Sequence, residues 1–178
     1  TGNNLLSYSY GDDQLLEDAL VGTDADGLVD AIYGEGVMAA TDLDGTWVGS
    51  MTGFEGGSGY WFVASAPFQF EYNAPSSGTL FRLAEMPKRP KALEFTQSMN
   101  QYFYLITEAV VDNVELATGD WLVAKCNDTV VGSRQYVAGS TIDIPIMGYD
   151  GEEYSLGYIE NGEIPTFKIY DYSENIYY

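Results

Sequence analysis

Short apolar and aromatic segments alternate with turn residues along most of the chain, and this alternation is the strongest constraint on its fold. In FQFEY, the aromatic residues Phe68, Phe70 and Tyr72 alternate with polar ones, as a strand with one wet face requires. In the second half, turn signals recur about every 8–14 residues, which is typical of antiparallel sandwiches and jelly rolls. The sequence therefore predicts a mainly β protein.

Other strands are predicted from runs rich in aromatic and β-branched residues between turn residues. In the first half these are TWVGS, GYWFVA, FQFEYN and TLFRLAE; in the second half they are NQYFYLITEAVVDN, VELATGDWLVAKCND, TVVGSRQYVAGSTIDIPIMGYDG, EEYSLGYIENG and EIPTFKIYDYS. The stretch GLVDAIYGEGVMAA is compatible with either a short helix or a strand.

One short helix is predicted near the N-terminus. Asp12 or Asp13 provides a cap and Gly22 a stop. The apolar residues that share a face between them are Leu15, Leu16, Ala19 and Leu20.

The chain is predicted to contain two modules. Pro87 and Pro90 bracket Lys88 and Arg89, and this stretch differs in charge from the acidic chain on either side. We therefore predict a Trp- and Tyr-rich β module with the short helix over 1–86, a basic seam over 87–91, and a β-sandwich module with an aromatic C-terminal arm over 92–178. Both modules are expected to be antiparallel and sandwich- or jelly-roll-like.

Composition excludes several classes of function. The formal net charge of −20 argues against binding nucleic acid or anionic lipid, because both need a basic footprint. With no His and a single Cys126, the chain lacks the residues for Ser-His-Asp or Cys-His catalysis and for an internal disulfide. No apolar run approaches membrane-spanning length, so no membrane insertion is expected. The start TGNN, without Met, suggests a processed or excised segment.

Two Asp-x-Asp-Gly stretches invite comparison with calcium loops. Asp24 and Asp26 fit two ligand positions of a 12-residue loop, as do Asp42 and Asp44, but in both frames the end positions lack side-chain oxygen ligands. The pattern favours acidic turns over EF-hands. Calcium binding by a different arrangement remains a second hypothesis for these four residues.

A second acidic group is a candidate cation site because hard cations take several carboxylates and carbonyls. Its members are Asp143, Asp150, Glu152 and Glu153. A solvated acidic loop is the alternative. Arg134, one of few cations, is expected to form a structural ion pair with a carboxylate such as Asp143, Asp150 or Asp171.

The segment QSMNQYFYLITEAVVDNVELATGDWLVAKCNDTVVGSRQY, followed by IPIMGYDG and GEIPTFKIYD, resembles a β-sandwich module of large secreted bacterial surface and adhesion proteins. The resemblance covers about residues 95–171, and the first half more loosely resembles the GYW-type module that often precedes it. It implies a secreted, non-enzymatic module beside adhesion domains, and similar segments occur in virion surface proteins.

Two functions are therefore expected. The first is an extracellular structural module that contacts like subunits or neighbouring surface modules, as part of an adhesin or a self-assembling fibre or sheath. Its interface would use the uncharged, aromatic chain ends, namely Leu5, Leu6, Tyr8, Tyr10, Tyr172, Ile176, Tyr177 and Tyr178. The alternative is a carbohydrate-binding module, calcium-assisted or not, that stacks glycans on Trp47, Trp61, Tyr60 and Tyr136.

Overall fold

A computed structural model describes residues 2–76, 83 and 85–178. The chain divides into two compact units, Thr1–Met86 and Pro87–Tyr178. All pairings between strands in the described residues are antiparallel. The prediction of a mainly β chain, with antiparallel sheets in two halves and one short helix near the N-terminus, is confirmed.

Unit 1 is built around a five-stranded sheet with the order β1-β7-β3-β4-β5, beside a two-stranded β2-β6 ladder. Its elements are β1 (Gly2–Ser7), β2 (Gln14–Leu15), α1 (Leu16–Leu20), β3 (Val29–Tyr33), β4 (Met38–Thr41), β5 (Trp47–Val48), β6 (Gly53–Phe54) and β7 (Gly59–Ala64).

The short helix α1 buries one face, but its start differs from the prediction. Leu16, Ala19 and Leu20 are buried at the expected helical spacing, and Gly22 follows with a φ of +69°. Capping by Asp12 or Asp13 is wrong, because no side chain caps α1. The Asp13 carboxylate instead accepts the N–H groups of Gly56 and Leu83, each at 3.2 Å.

The ambiguous stretch at 27–40 forms a hairpin of β3 and β4, with Ile32 opposite Ala39. The turn between them is closed by the Gly34 N–H, which donates to the Val37 carbonyl at 2.9 Å. Because Gly34 and Gly36 flank Glu35, the stretch turns there and forms two strands instead of a second helix.

An aromatic cluster forms the core of unit 1. The rings of Tyr8, Phe54 and Phe62 stack in series, with centroids 5.3 Å and 6.0 Å apart. Phe70 and Tyr72 pack against this core. Within the described residues their segment pairs with no strand, so the prediction of a strand for FQFEYN is wrong, although its aromatic side chains do face the core. TLFRLAE lies almost wholly outside the described residues.

Unit 2 contains a four-stranded sheet, β12-β11-β14-β15, and the two-stranded sheets β13-β8 and β10-β9. Its strands are β8 (Gln101–Ile106), β9 (Val110–Val111), β10 (Val114–Glu115), β11 (Trp121–Cys126), β12 (Thr129–Gln135), β13 (Ile142–Met147), β14 (Thr166–Asp171) and β15 (Ile176–Tyr177). Single 3₁₀ turns lie at Lys91–Leu93 and Glu153–Ser155. The strand predicted for EEYSLGYIENG is wrong, because this stretch consists of turns and has only an isolated bridge from Ile159 to Gly148.

Strand β11 is buried on both faces. Leu122 and Ala124 pack into the larger core of unit 2, whereas Trp121 and Val123 pack with Leu93 on the other side. This explains its continuous apolar sequence, since a strand with two covered faces does not alternate.

A buried ion pair joins β12 to β13. The Arg134 guanidinium donates to the Asp143 carboxylate at 2.7 Å and to its backbone carbonyl at 2.8 Å. The side chains are 6% and 0% exposed. The two strands come close because Gly132 faces the Pro145 carbonyl, where a β-carbon would clash.

Removing one partner of this pair is expected to lower the unfolding free energy by about 3–5 kcal/mol, because the other charge stays buried without its partner. We expect this loss for Arg134→Met and for Asp143→Leu, measured by urea unfolding of unit 2. The double variant is expected to recover most of it. Additive losses in the double variant would contradict this account.

Candidate functional site

The candidate site lies at the free edge of the sheet in unit 1, where β1 is the terminal strand. β1 pairs with β7 over its whole length without a register shift, from Gly2 opposite Ala64 to Ser7 opposite Gly59. In the described part of the chain, β7 is the only strand that pairs with β1.

The backbone groups of β1 divide between its two sides in a defined way. The N–H of Tyr8, just past the strand, donates to the Ser58 carbonyl at 2.9 Å, which continues the β1–β7 register. In an antiparallel ladder, successive residues direct their N–H and C=O groups alternately toward and away from the neighbour. The groups of Asn3, Leu5 and Ser7 therefore point to the open edge.

The side chains of this edge form an apolar row on the outer face of the sheet. Leu5 lies opposite Trp61, and Trp61 lies opposite Tyr33. Leu5 is 60% exposed and Trp61 47%, whereas Tyr33 is half-buried. The other face of β7 carries Tyr60 and Phe62 into the core. We call Leu5, Trp61 and Tyr33 the outer row.

Strand β1 itself, as the structure describes it, carries none of the residue types or irregularities that usually protect an edge strand against pairing. Natural edge strands are blunted by charged residues, Pro, bulges or shortness. Residues 2–10, GNNLLSYSY, contain no charge and no Pro, and the strand is six residues long and regular. In a chain of net charge −20, this edge is an uncharged surface on which another strand can pair.

Unit 1 also contains a cleft of about 830 Å³. Its lining includes Tyr60, Ser50 and the carboxylates Asp12, Asp13, Glu35, Glu55 and Glu85. Among the described residues that line it there is no Lys or Arg. One sign of charge favours cations over anions in such a cleft.

The two Asp-x-Asp-Gly stretches form turns. The Asp42 carboxylate accepts the N–H groups of Asp44 and Thr46, both at 2.9 Å, in the turn between β4 and β5. The Asp26 carboxylate accepts the Gly22 N–H at 3.3 Å after α1, and Asp24 is exposed in the same loop. These contacts are the side-chain-to-backbone bonds that Asp commonly makes in turns.

The second acidic group is distributed between two structural roles. Asp143 is buried in the ion pair with Arg134. Asp150 accepts hydrogen bonds from the Ser98 and Ser155 hydroxyls, at 3.0 Å and 2.7 Å, and from the Tyr154 phenol.

Hydrogen bonds from Tyr154 first, and then from Ser155, hold the pKa of Asp150 well below its usual range. Glu152 and Glu153 are exposed beside it. Across the described residues, no group of three or more His, Cys, Asp or Glu side chains is arranged to hold a metal ion.

The candidate sugar-stacking rings differ in exposure. Tyr60 and Tyr136 are buried, and the Tyr136 phenol donates to Glu115 at 2.8 Å, so neither ring presents a face to solvent. Trp47 is half-buried against the core of unit 1. Of the four candidates, Trp61 alone is exposed.

The N-terminal residues are distributed between an edge strand and the core. Leu6 is half-buried against the core and Tyr10 packs beside it. Tyr8 is buried and donates to the Gln14 amide oxygen at 2.7 Å. The pKa of Tyr8 is raised to about 12; burial is the largest cause, and electrostatic repulsion from Tyr10 is the next.

The C-terminal residues fold back onto their own sheet. In β15, Ile176 pairs with Asp171 and Tyr177 with Tyr170 of β14. Asn175, with a φ of +59°, and the Asp171 carboxylate, which accepts the Glu174 N–H at 2.9 Å, form the turn. The side chains of Tyr172, Ile176, Tyr177 and Tyr178 are exposed.

Sequence reasoning named Leu5 and Trp61 but assigned them to different functions and omitted Tyr33. The alternation in GYWFVA could have separated the outward Trp61 from the inward Tyr60 and Phe62. The pairing of β1 with β7 joins segments more than fifty residues apart and leaves no comparable signal.

The longest helix of the described residues has five residues, so none is long enough to span a bilayer. No protein-family model, no curated protein and no solved structure matches the chain.

The exposure of Trp61 can be measured by acrylamide quenching of tryptophan fluorescence. We expect Trp61→Phe to remove most of the readily quenched emission while changing the unfolding free energy by less than about 0.5 kcal/mol. The matched control, Trp121→Phe, alters a buried residue and should preserve the quenched component. Unchanged quenching in Trp61→Phe would contradict the placement of the outer row.

Proposed function

We propose that the chain is a non-enzymatic, extracellular structural or surface module that works through protein–protein contacts. In this proposal β1 is the strand that contacts the partner. The observation that carries the proposal is the open, uncharged edge of β1. An extended segment of another chain adds to the sheet there as a further strand.

The main chain and the outer row would contribute differently to such a contact. The outward N–H and C=O groups of Asn3, Leu5 and Ser7 supply hydrogen bonds, each worth about 0.5–1.5 kcal/mol net. Leu5 and Trp61 supply apolar area beside them. Main-chain bonds provide affinity in strand addition, and side chains on alternate positions provide specificity.

The composition and the sequence resemblance support the same proposal. The second half resembles modules of secreted bacterial surface proteins, and the acidic surface suits a module that contacts proteins rather than nucleic acid. The partners would be like subunits or neighbouring surface modules, in an adhesin, a fibre or a virion surface.

Carbohydrate binding is the second candidate, because Trp61 is exposed and has Tyr33 beside it in the next strand. If a glycan stacks on Trp61, Trp61→Ala should abolish glycan binding without unfolding the protein. A substitution of the half-buried Trp47 serves as the comparison. Binding on a glycan array that disappears in Trp61→Ala, with no dependence on the β1 backbone, would favour this candidate.

The contact strand is tested with Leu5→Pro. Proline removes the Leu5 N–H, which points to the open edge, and therefore removes no hydrogen bond to β7. We expect binding to an immobilised panel of neutral extended heptapeptides with alternating apolar residues to fall by about tenfold or more.

The matched control is Leu5→Ala, which keeps the N–H and loses only the side chain, so its loss of binding should be smaller. Thermal melting establishes that both variants are folded. Equal binding of wild type and folded Leu5→Pro would contradict the role of the β1 edge.

A further inference from the structure

We infer that the strand added at the β1 edge is β1 of a second copy of this chain, in an antiparallel register centred on Leu5. This inference rests on the proposed function, because it names the partner of the same edge. Two copies joined in this way would share one continuous sheet across a two-fold axis.

The lack of charge along β1 allows a second copy to approach this edge. Each chain carries 27 acidic against 7 basic residues, so contacts between the charged parts of two copies would bring carboxylates together. Residues 2–10 carry none of them, and Asp12 is the first acidic residue of the chain. The β1 edge therefore allows two acidic chains to pair without placing like charges directly opposite each other in the ladder.

The alternation of backbone groups selects one register. The outward groups belong to Asn3, Leu5 and Ser7, and these must lie opposite one another for their hydrogen bonds to form. Placing Leu5 opposite Leu5 also places Asn3 opposite Ser7, so that all outward groups are used and about six hydrogen bonds form. A shift of two residues in either direction leaves one outward residue without a partner.

The same register extends the outer row across the axis. Leu5 of one copy meets Leu5 of the second, and each has its own Trp61 as the next neighbour in the row. The exposed apolar side chains of the edge would thus become a continuous strip, which explains why Leu5 and Trp61 are exposed on the same face.

One pair of edge strands buries less area than a standard protein–protein interface of about 1,600 Å², so the dimer is expected to be weak and reversible. The two chains repel each other through their net charges, and salt screens that repulsion. Dimerisation should therefore strengthen as sodium chloride concentration rises.

Single-cysteine variants of the full chain test the register directly. In a Cys126→Ala background, Leu5→Cys places two thiols on residues that face each other, with Cα atoms about 5.5 Å apart, within disulfide range. Asn4→Cys is the matched control on the same exposed strand. Its Cα atoms would lie about 8 Å apart in this register, outside that range.

We expect Leu5→Cys to form a covalent dimer, twice 19.6 kDa, about tenfold faster than Asn4→Cys under oxidised glutathione. An equal mixture of Asn3→Cys and Ser7→Cys should cross-link, whereas each alone should not. Equal cross-linking of all variants, or faster cross-linking of Asn4→Cys, would overturn the register and the inference.

The inference and the proposed function fail in different ways. If no variant cross-links above the Asn4→Cys control, while peptide capture still depends on the Leu5 N–H, the edge binds a different chain and only the second copy is rejected. If cross-linking and peptide capture are both absent in folded protein, the proposed function is rejected as well.

Discussion

The direction of the backbone N–H and C=O groups of β1 is the constraint on which the account depends. A strand at the end of a sheet satisfies half of these groups with its neighbour and leaves the other half to water or another chain. In β1, β7 takes the groups of the even-numbered residues, and those of Asn3, Leu5 and Ser7 remain outward. Residues 2–10 carry no charge, so no charged side chain of this segment opposes the strand addition that we propose.

The two units bury their apolar side chains in different ways. Unit 1 uses an aromatic cluster, with Phe54 at its centre, that is closed by a segment without strand pairing around Phe70. Unit 2 covers both faces of β11 and keeps its most buried strand, β13, free of unpaired charge by placing Arg134 beside Asp143. Four of the eight acidic residues that were considered as cation ligands hold turns or strands together through their carboxylates, namely Asp26, Asp42, Asp143 and Asp150.

The sequence predicts the fold class and the helix because both depend on local periodicity, as in Leu16, Ala19 and Leu20. It also suggests an ion pair for Arg134, since cations are scarce in this chain, but it leaves Asp143, Asp150 and Asp171 open as partners, and the structure shows Asp143. It fails where tertiary contacts decide: Asp13 bonds to distant backbone instead of capping α1, and Phe70 packs without a ladder. The outer row required the pairing of β1 with β7, which joins distant segments and is not encoded in either segment alone.

Residue-resolved amide hydrogen exchange along β1, measured by NMR at increasing protein concentration, tests the central claim most directly. The account predicts that the Leu6 and Tyr8 amides are protected at every concentration. The Leu5 and Ser7 amides should exchange freely in dilute solution and become protected as the protein is concentrated. Protection of Leu5 in dilute solution, with free exchange at Leu6, would contradict the assignment of the open edge.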